Sequence, residues 1–311
     1  MASGGRRRYD EIDGILLLDK PPGMTSNKAL QTVRRLLNAK KAGHTGSLDP
    51  SATGMLPLCF GEATKVCAFL LDADKTYRVA ARLGTATSTG DADGGETIAT
   101  SDVPPLSFDE WNEILQGFVG ESMQVPPMYS ALKKDGRRLY ELARKGETVE
   151  REPRPIRIDE IRLLEVAGSR LVFRVTCSKG TYVRVLVEDI AEKAGTVAHT
   201  WRLHRESVGE FRAADMVSLA RVEEQAAKDL AGLRNGLLGP DVALAGLPSA
   251  DIGSDDGRRF VAGQVVKVSG DEVEGLARVY AEGVGFLGVG EVSPAGELAP
   301  RRVFKTSEKT P

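Results

Sequence analysis

The apolar run Ile15 to Leu18 is short and unbroken, as in a strand buried on both faces, and Lys20-Pro21-Pro22-Gly23 must turn the chain directly after it. Leu30, Val33 and Leu37 then recur at helical spacing. Thr25, Ser26 or Asn27 is placed to cap that helix, and Arg34, Arg35, Lys40 and Lys41 are left for solvent or a bound polyanion. Val66, Phe69 and Leu70 predict a second helix from about Ala63 to Leu71. Tyr77, Val79, Ala81 and Leu83 alternate with Arg78 and Arg82, which predicts a strand with one apolar and one basic face. Ser107 and Glu110 form a capping-box pattern ahead of a helix whose Phe108, Trp111, Leu115 and Phe118 make an apolar stripe directed at the core. A further strand is expected where Leu171, Phe173, Val175 and Cys177 alternate. Lys179-Gly180-Thr181 then opens a helix with Val183, Leu186, Val187 and Ile190 inward and Gly195 as its stop. Residues 220–245 are rich in Ala, Leu and Gly and break at Gly239-Pro240, which marks the expected end of a first domain at 240. Short strands are predicted beyond it around 265–268, 274–280 and 283–292.

A chain of 311 residues exceeds the size at which one hydrophobic core stops growing, so two domains are expected, behind a mobile polar tail over residues 1–13. The formal charge of -2 argues against an indiscriminate polyanion binder, so any nucleic-acid site must be a local patch. Residues 125–158 are the candidate, with nine Lys or Arg against five Asp or Glu and Tyr129 and Tyr140 interspersed; a solvated charged helix accounts for the same pattern. Cys59, Cys67 and Cys177 include no C-x-x-C pair, and the three histidines lack zinc spacing, so neither a disulfide framework nor metal chemistry is expected. Asp91-Ala92-Asp93-Gly94 resembles a calcium loop but its glycine comes too early and no closing Glu follows. Gly283-Val-Gly285-Phe-Leu-Gly288 fits a dinucleotide fingerprint but leads into no helix, so no helix N-terminus is available for a pyrophosphate. No apolar run approaches a membrane span and no signal-like segment follows Arg6, Arg7 and Arg8, so a cytoplasmic protein is expected.

The chemistry concentrates in Gly43-His44-Thr45-Gly46-Ser47-Leu48-Asp49-Pro50-Ser51-Ala52-Thr53-Gly54. Three glycines permit close backbone approach, and Pro50 limits how Asp49 can lie, so this reads as a shaped loop presenting a carboxylate. The stretch resembles the G-H-T-G-x-L-D-P-x-A-T-G motif of the bacterial tRNA pseudouridine-55 synthases, the TruB family. The resemblance extends through Gly14 to Ser26, Asp74 to Val79, Pro126 to Lys133 and Cys177 to Arg184, and covers about residues 10–215.

That resemblance implies an α+β fold: a mixed, mainly antiparallel central sheet flanked by helices over 14–240, and a small β-barrel-like PUA domain over 241–311. It also implies isomerisation of uridine 55 in the tRNA T-loop, on a flipped-out base, without cofactor or metal and by a monomer. By the same resemblance Asp49 is the nucleophile, attacking the sugar C1′ or the uracil C6, Arg184 is its cation, and Tyr77 stacks on the target base. On pattern alone Tyr77 is a core residue. His44, Tyr182 and Leu203 match positions that contact RNA or line the base pocket, and Lys20 is expected to support Tyr77 and the pocket. Lys133, Arg137, Arg138 and Arg144 fall in the family's RNA-gripping thumb, at about 125–158. His204 and Glu206 depart from the family's basic pattern and lower the expected RNA affinity. A non-catalytic RNA-binding or tRNA-folding protein is the alternative, and a glycoside or nucleoside hydrolase is disfavoured because the motifs supply one carboxylate where such enzymes commonly need two.

Overall fold

The computed structural model describes residues 9–93, 95–268 and 274–305. Among them a nine-stranded sheet runs in the order Val217–Ser218, Gly14–Lys20, Thr53–Phe60, Ala198–Val208, Lys75–Leu83, Arg170–Cys177, Arg154–Ala167, Gly120–Gln124, with Ala42–His44 added against Thr53–Phe60. Two pairings are parallel, Gly14–Lys20 with Val217–Ser218 and Thr53–Phe60 with Ala198–Val208, and the rest are antiparallel. The sheet is therefore mixed and mainly antiparallel, flanked by helices, as expected.

The halves of this sheet are covered differently. Gly14–Lys20 and Thr53–Phe60 are buried on both faces: Leu16, Leu18, Leu56 and Leu58 pack on the helices Ser26–Leu36, Leu219–Lys228 and Leu230–Asn235. Ile15, Leu17, Met55 and Cys59 pack on the other side against Ala63, Val66 and Leu70. Burial on both faces is why Ile15 to Leu18 carries no polar alternation. The other half is covered on one face, where Val79, Ala81, Phe173 and Val175 meet Trp111 and Leu115 of Phe108–Gln116 and Leu186 and Ile190 of Val183–Lys193. Arg78 and Arg82 lie exposed on the opposite face.

Thr25 caps the first helix by accepting from Lys28 N at 3.1 Å. Arg34, expected to face out, instead donates from Nε to Ala39 O at 3.0 Å and from Nη2 to Lys40 O at 2.8 Å, tying down the turn that ends that helix. The Ser107/Glu110 capping box forms, but Phe108 is 49% exposed rather than core, because as the first helical residue it precedes the turn that packs down. The helix expected over 63–71 is a 3-10 segment Gly61–Val66 followed by an α-helix Cys67–Asp72. Of the expected tail, residues 1–8 lie outside the described residues, and residues 9–13 are tied down. Asp10 bridges to Ala39 and pairs with Arg234 at 2.5 Å, and Asp13 accepts from Glu62 N at 2.7 Å.

A second, five-stranded sheet curls into a half-barrel in the order Ser249–Ile252, Gly275–Ala281, Gly285–Val292, Glu297–Val303, Val266–Lys267, around Phe260, Val279, Leu287 and Leu298. The Gly283–Gly288 segment is a turn that leads into the strand Gly285–Val292. The half-barrel docks on the main sheet: Val289 and Phe304 share a buried cluster with Ile15, Met55 and Val208. Lys65 Nζ reaches Val303 O at 2.7 Å and Glu62 Oε2 at 2.5 Å, while Lys305 N donates to that same Glu62 oxygen at 2.8 Å.

Thr53–Phe60 and Ala198–Val208 meet over only two residue pairs, Thr53 with His204 and Gly54 with Arg205, before the two strands diverge. Gly54 has φ +98°, and a Cβ there would meet Arg205 O at 2.3 Å. Gly54→Ala is therefore expected to destabilise the fold by about 2–4 kcal/mol, the sum of a strained backbone and an overpacked strand contact. Gly136→Ala, where φ is +81° but no atom lies within 4 Å, should lose only about 1 kcal/mol. Urea denaturation of both variants checks this, and equal losses would show that the close approach of Gly54 to Arg205 carries no weight.

Candidate active site

The divergence of those two strands makes room for the loop that carries Asp49, and four separate parts of the chain fix it there. Ser26 Oγ accepts from Leu48 N at 2.7 Å and donates to Leu48 O at 3.1 Å. Lys20 Nζ and Gly23 N both reach Pro50 O, at 3.2 and 2.9 Å. Arg205 donates from Nη2 to Gly46 O at 3.1 Å and from Nε to Met55 O at 2.6 Å. Thr45 N donates to Pro57 O at 3.3 Å, and Ala52 N to Asp49 O at 3.1 Å closes the turn at Pro50. A loop held at this many points presents its carboxylate without a reorganisation cost at the moment of reaction.

Asp49 Oδ2 lies 3.0 Å from Arg184 Nε. Arg184 sits in the first turn of Val183–Lys193, with a side chain only 7% exposed. Its Nη1 donates to Thr89 O and its Nη2 to Tyr129 O, each at 2.7 Å. With both outer nitrogens engaged by carbonyls, the guanidinium has Nε to offer Asp49 and cannot swing away. Asp49 remains 38% exposed, so the pair has one closed side and one open side. Burial pushes the Asp49 pKa above its ordinary value, Arg184 pulls it back, and Asp91 adds to the upward shift.

Around this pair the structure gathers the other candidates. Tyr77 is half-buried on the Lys75–Leu83 strand directly opposite Arg205, whose guanidinium charge acts on its hydroxyl. Burial raises the phenol pKa and Arg205 opposes this, so the proton stays on the oxygen more firmly than in water. Leu203 pairs opposite Val79 on the same face and packs against the core below Tyr77. The backbone of Tyr182 is clamped by the Gln124 side chain, with bonds of 2.8 and 3.2 Å, and its ring feels the charges of both Arg184 and Asp49. His44 ends the Ala42–His44 strand. Burial, and secondarily the Arg205 charge, lowers its pKa and favours the neutral imidazole, whose Nδ1 has no hydrogen-bond partner among the described residues.

Lys20 departs from its expected role. Its fully buried ammonium donates to Pro21 O, Met24 O and Pro50 O, not to Tyr77, so it staples the turn after the first strand to the Asp49 loop. Burial lowers its pKa to about 8, while Asp49 opposes that shift. Lys75 repeats the device behind the sheet, capping the end of Cys67–Asp72 through Leu70 O and Leu71 O at 3.2 and 2.7 Å. Arg205, 1% exposed and touching both the loop and Tyr77, is the residue sequence reasoning missed. The run of basic residues around it gave no sign that one of them is buried. Glu206, by contrast, turns to the far face and pairs with Arg174 at 2.7 Å.

The four basic residues placed in a thumb lie apart from this cluster. Lys133–Lys134 and Arg137–Arg138 form a small antiparallel ribbon, turned by Asp135 and Gly136 at positive φ, which leads into the short helix Leu139–Ala143. Lys133, Arg137, Arg138 and Arg144 are all exposed, and Arg138 and Arg144 lie 5.8 and 5.5 Å from the Tyr140 ring. Most of the segment is ribbon and loop, so the solvated-helix alternative does not describe it. No group of three or more His, Cys, Asp or Glu side chains among the described residues could hold a metal ion.

The sequence matches three family models in succession: "TruB family pseudouridylate synthase (N terminal domain)" over 34–183, "tRNA pseudouridylate synthase B C-terminal domain" over 184–245 and "Pseudouridine synthase II TruB, C-terminal" over 248–304. It is 49% identical to a tRNA pseudouridine synthase B of Nitrosococcus oceani across 96% of this chain and 97% of the relative. With that of Dechloromonas aromatica it shares 48% across 97% and 99%. In fold it is similar to a solved Cbf5–Nop10–Gar1 complex, at TM-score 0.72 and 24% identity, with 98% of this chain and 91% of that one covered. A solved H/ACA ribonucleoprotein bound to a substrate RNA gives TM-score 0.73 at 21% identity, covering 99% and 95%.

The balance of burial against Arg184 fixes a direction for the titration of Asp49. Because its pKa lies above the ordinary 3.8, the anion is expected to be lost at a higher pH than for a free aspartate as pH falls. Arg184→Gln should move that midpoint up again by removing the group that opposes burial. Difference infrared spectroscopy, following the protonated carboxyl band absent in Asp49→Asn, reads both shifts. A wild-type midpoint at or below 3.8, or a downward move in Arg184→Gln, would contradict this account of the site.

Proposed function

The chain belongs to the TruB family and isomerises uridine to pseudouridine in tRNA, and from that premise we propose that its target is uridine 55 in the T-loop and that Asp49 is the nucleophile. The observation that carries the assignment is the half-open carboxylate held at 3.0 Å by a guanidinium whose other nitrogens are already bonded. In the reaction the N1–C1′ bond breaks and a C5–C1′ bond forms, while C5 gives up a proton and N1 gains one, so no oxidant or reductant enters. By either route, at C1′ or at C6, the anion of Asp49 attacks a carbon of a nucleotide taken out of its stack. Arg184 holds the carboxylate ionised and oriented. Tyr77 stacks on the base beside the Arg205 charge, while Leu203 and Tyr182 shape the pocket and neutral His44 contacts the RNA. Lys20 is a positioning residue for the loop.

In this reading the ribbon with Lys133, Arg137, Arg138 and Arg144 grips the T-arm, and the half-barrel within 241–311 is an RNA-binding domain of the PUA kind attached to a catalytic unit over 14–240. The enzyme acts as a cytoplasmic monomer and without a cofactor. No helix among the described residues is long and apolar enough to cross a membrane.

Asp49→Asn separates this reading from a purely RNA-binding or tRNA-folding protein. The amide keeps the shape and removes the anion, so pseudouridine mapped by position should vanish at the T-loop while tRNA affinity stays within about tenfold, or 1.4 kcal/mol. Pseudouridine formed by the variant, after mass spectrometry excludes deamidation back to aspartate, would assign the nucleophile elsewhere. The thumb has its own test in salt. If about five phosphates are neutralised on a single-stranded loop and its stem, log affinity should fall with log salt at a slope of roughly -3.5 to -4.5. Replacing Arg137, Arg138 and Arg144 by Ala should flatten that slope, and an unchanged slope would remove the thumb from the interface.

A further inference from the structure

The face of the main sheet opposite Asp49 carries charge that the proposed reaction does not use. Arg78 stands across from Arg174, and Arg82 across from Arg170, on the neighbouring strands Lys75–Leu83 and Arg170–Cys177. Like charges directly opposite one another destabilise a sheet, and here the arrangement occurs twice in one strand pair. Arg170 is paired with Glu165 and Arg174 with Glu206. Arg78 and Arg82 have no ion-pair partner among the described residues. Folding alone gives no reason for this excess of positive charge on an open face.

A groove of about 550 Å3 crosses the same face, with Arg78, Arg170, Trp201, Arg202 and His204 in its walls; Leu203, packed against the core, is the residue it shares with the base pocket. An irregularity in the Ala198–Val208 strand between Thr200 and Arg202 leaves Trp201 without a partner in the register, and the indole is 38% exposed. The Arg202 guanidinium lies 4.7 Å from that ring. Three arginines against the single carboxylate of Glu165 leave the groove cationic. Its far wall includes Ser51 and Thr53, so it backs onto the loop whose front presents Asp49. His204 is fixed there by Thr53 Oγ1 at 2.9 Å.

We propose that this groove binds a single-stranded segment of RNA, its phosphates on Arg78 and Arg202 and one base against Trp201, at a site separate from the cleft that takes the target uridine. The inference rests on the reading that the substrate is RNA held on the Asp49 face. An exposed indole flanked by guanidinium groups in a basic groove is the combination that holds unpaired nucleotides, because every base offers a flat face and every phosphate a charge. An acidic polypeptide would be attracted by the arginines but would gain nothing from the indole. The volume accommodates a ligand of nucleotide size.

The test uses the full-length protein and a labelled, 5′-phosphorylated hexa-adenylate, which offers the uridine pocket no substrate. Fluorescence anisotropy should show saturable binding that a saturating unlabelled T-arm stem-loop weakens by no more than about threefold. Arg78→Gln with Arg202→Gln, and separately Trp201→Ala, should each raise the Kd at least tenfold, while stem-loop turnover stays within twofold of wild type. Quenching of tryptophan emission should accompany binding, since Trp201 is the exposed one of the two tryptophans and Trp111 is 1% exposed. Full displacement by the stem-loop would put the oligonucleotide in the cleft and overturn the proposal. So would absence of saturable binding, or an oligoglutamate of equal charge binding at least as tightly through Arg78 and Arg202. Turnover measured on the same samples keeps the two readings apart: an active enzyme that fails to bind hexa-adenylate loses only the groove, whereas an inactive one loses the assignment of function.

Discussion

The structure depends on a parallel strand contact only two residue pairs long. Thr53 meets His204 and Gly54 meets Arg205, and then the strands part to admit the loop that bears Asp49. A longer pairing would close the sheet and leave the carboxylate no place in it. No pairing would let the loop drift from Arg184, whose own position comes from a helix on the far side of that gap. The lack of a side chain at Gly54 makes so short and close a contact feasible, and the buried Arg205 converts it into a hub by bonding the loop at Gly46 and the strand at Met55 while standing opposite Tyr77. A charge buried that deeply is tolerable because its donors meet carbonyl oxygens rather than apolar groups.

Rigidity and ionisation are linked in this site. Lys20, Arg184 and Arg205 are each nearly inaccessible to water, and each spends its hydrogen bonds on backbone carbonyls that shape the cleft. Their charges act on Asp49 and His44 as well as holding the chain in place. The carboxyl's upward shift is thus the residue of two opposed effects, the loss of water around it and the field of Arg184. A substitution that loosened the loop would admit water and alter the titration together, so the two properties cannot be tuned independently.

Much of this was legible in the sequence where one physical signal acted alone. The cap at Thr25, the box at Ser107 and the alternation of Tyr77 to Leu83 are local and appear as read. Thr53–Phe60 is buried on both faces like Gly14–Lys20, but it gave no signal because its apolar run is interrupted by Pro57, which argues against a central strand. Ala198–Val208 hid for another reason: two register shifts break its period, so the alternation that marks a half-buried strand never runs long enough to be seen. Asp49 was identifiable from its loop and its family motif, whereas its companion Arg205 was lost among neighbouring basic residues because burial is a property of the assembled sheet. The basic character of residues 125–158 was plain from composition, but the tight turn at Asp135 and Gly136 that shapes the ribbon was not.

The docking of the half-barrel has a geometric consequence. Lys65, Glu62 and Val303 join it to the segment that directly follows the Thr53–Phe60 strand, and Val289 and Phe304 enter the core shared with that strand. The span from the half-barrel to Asp49 therefore passes through packed structure with no free linker in it. The chain is built like a caliper with one fixed jaw: any molecule touching both ends is gauged for length, and one whose two contact points are spaced differently can satisfy one end only by giving up the other.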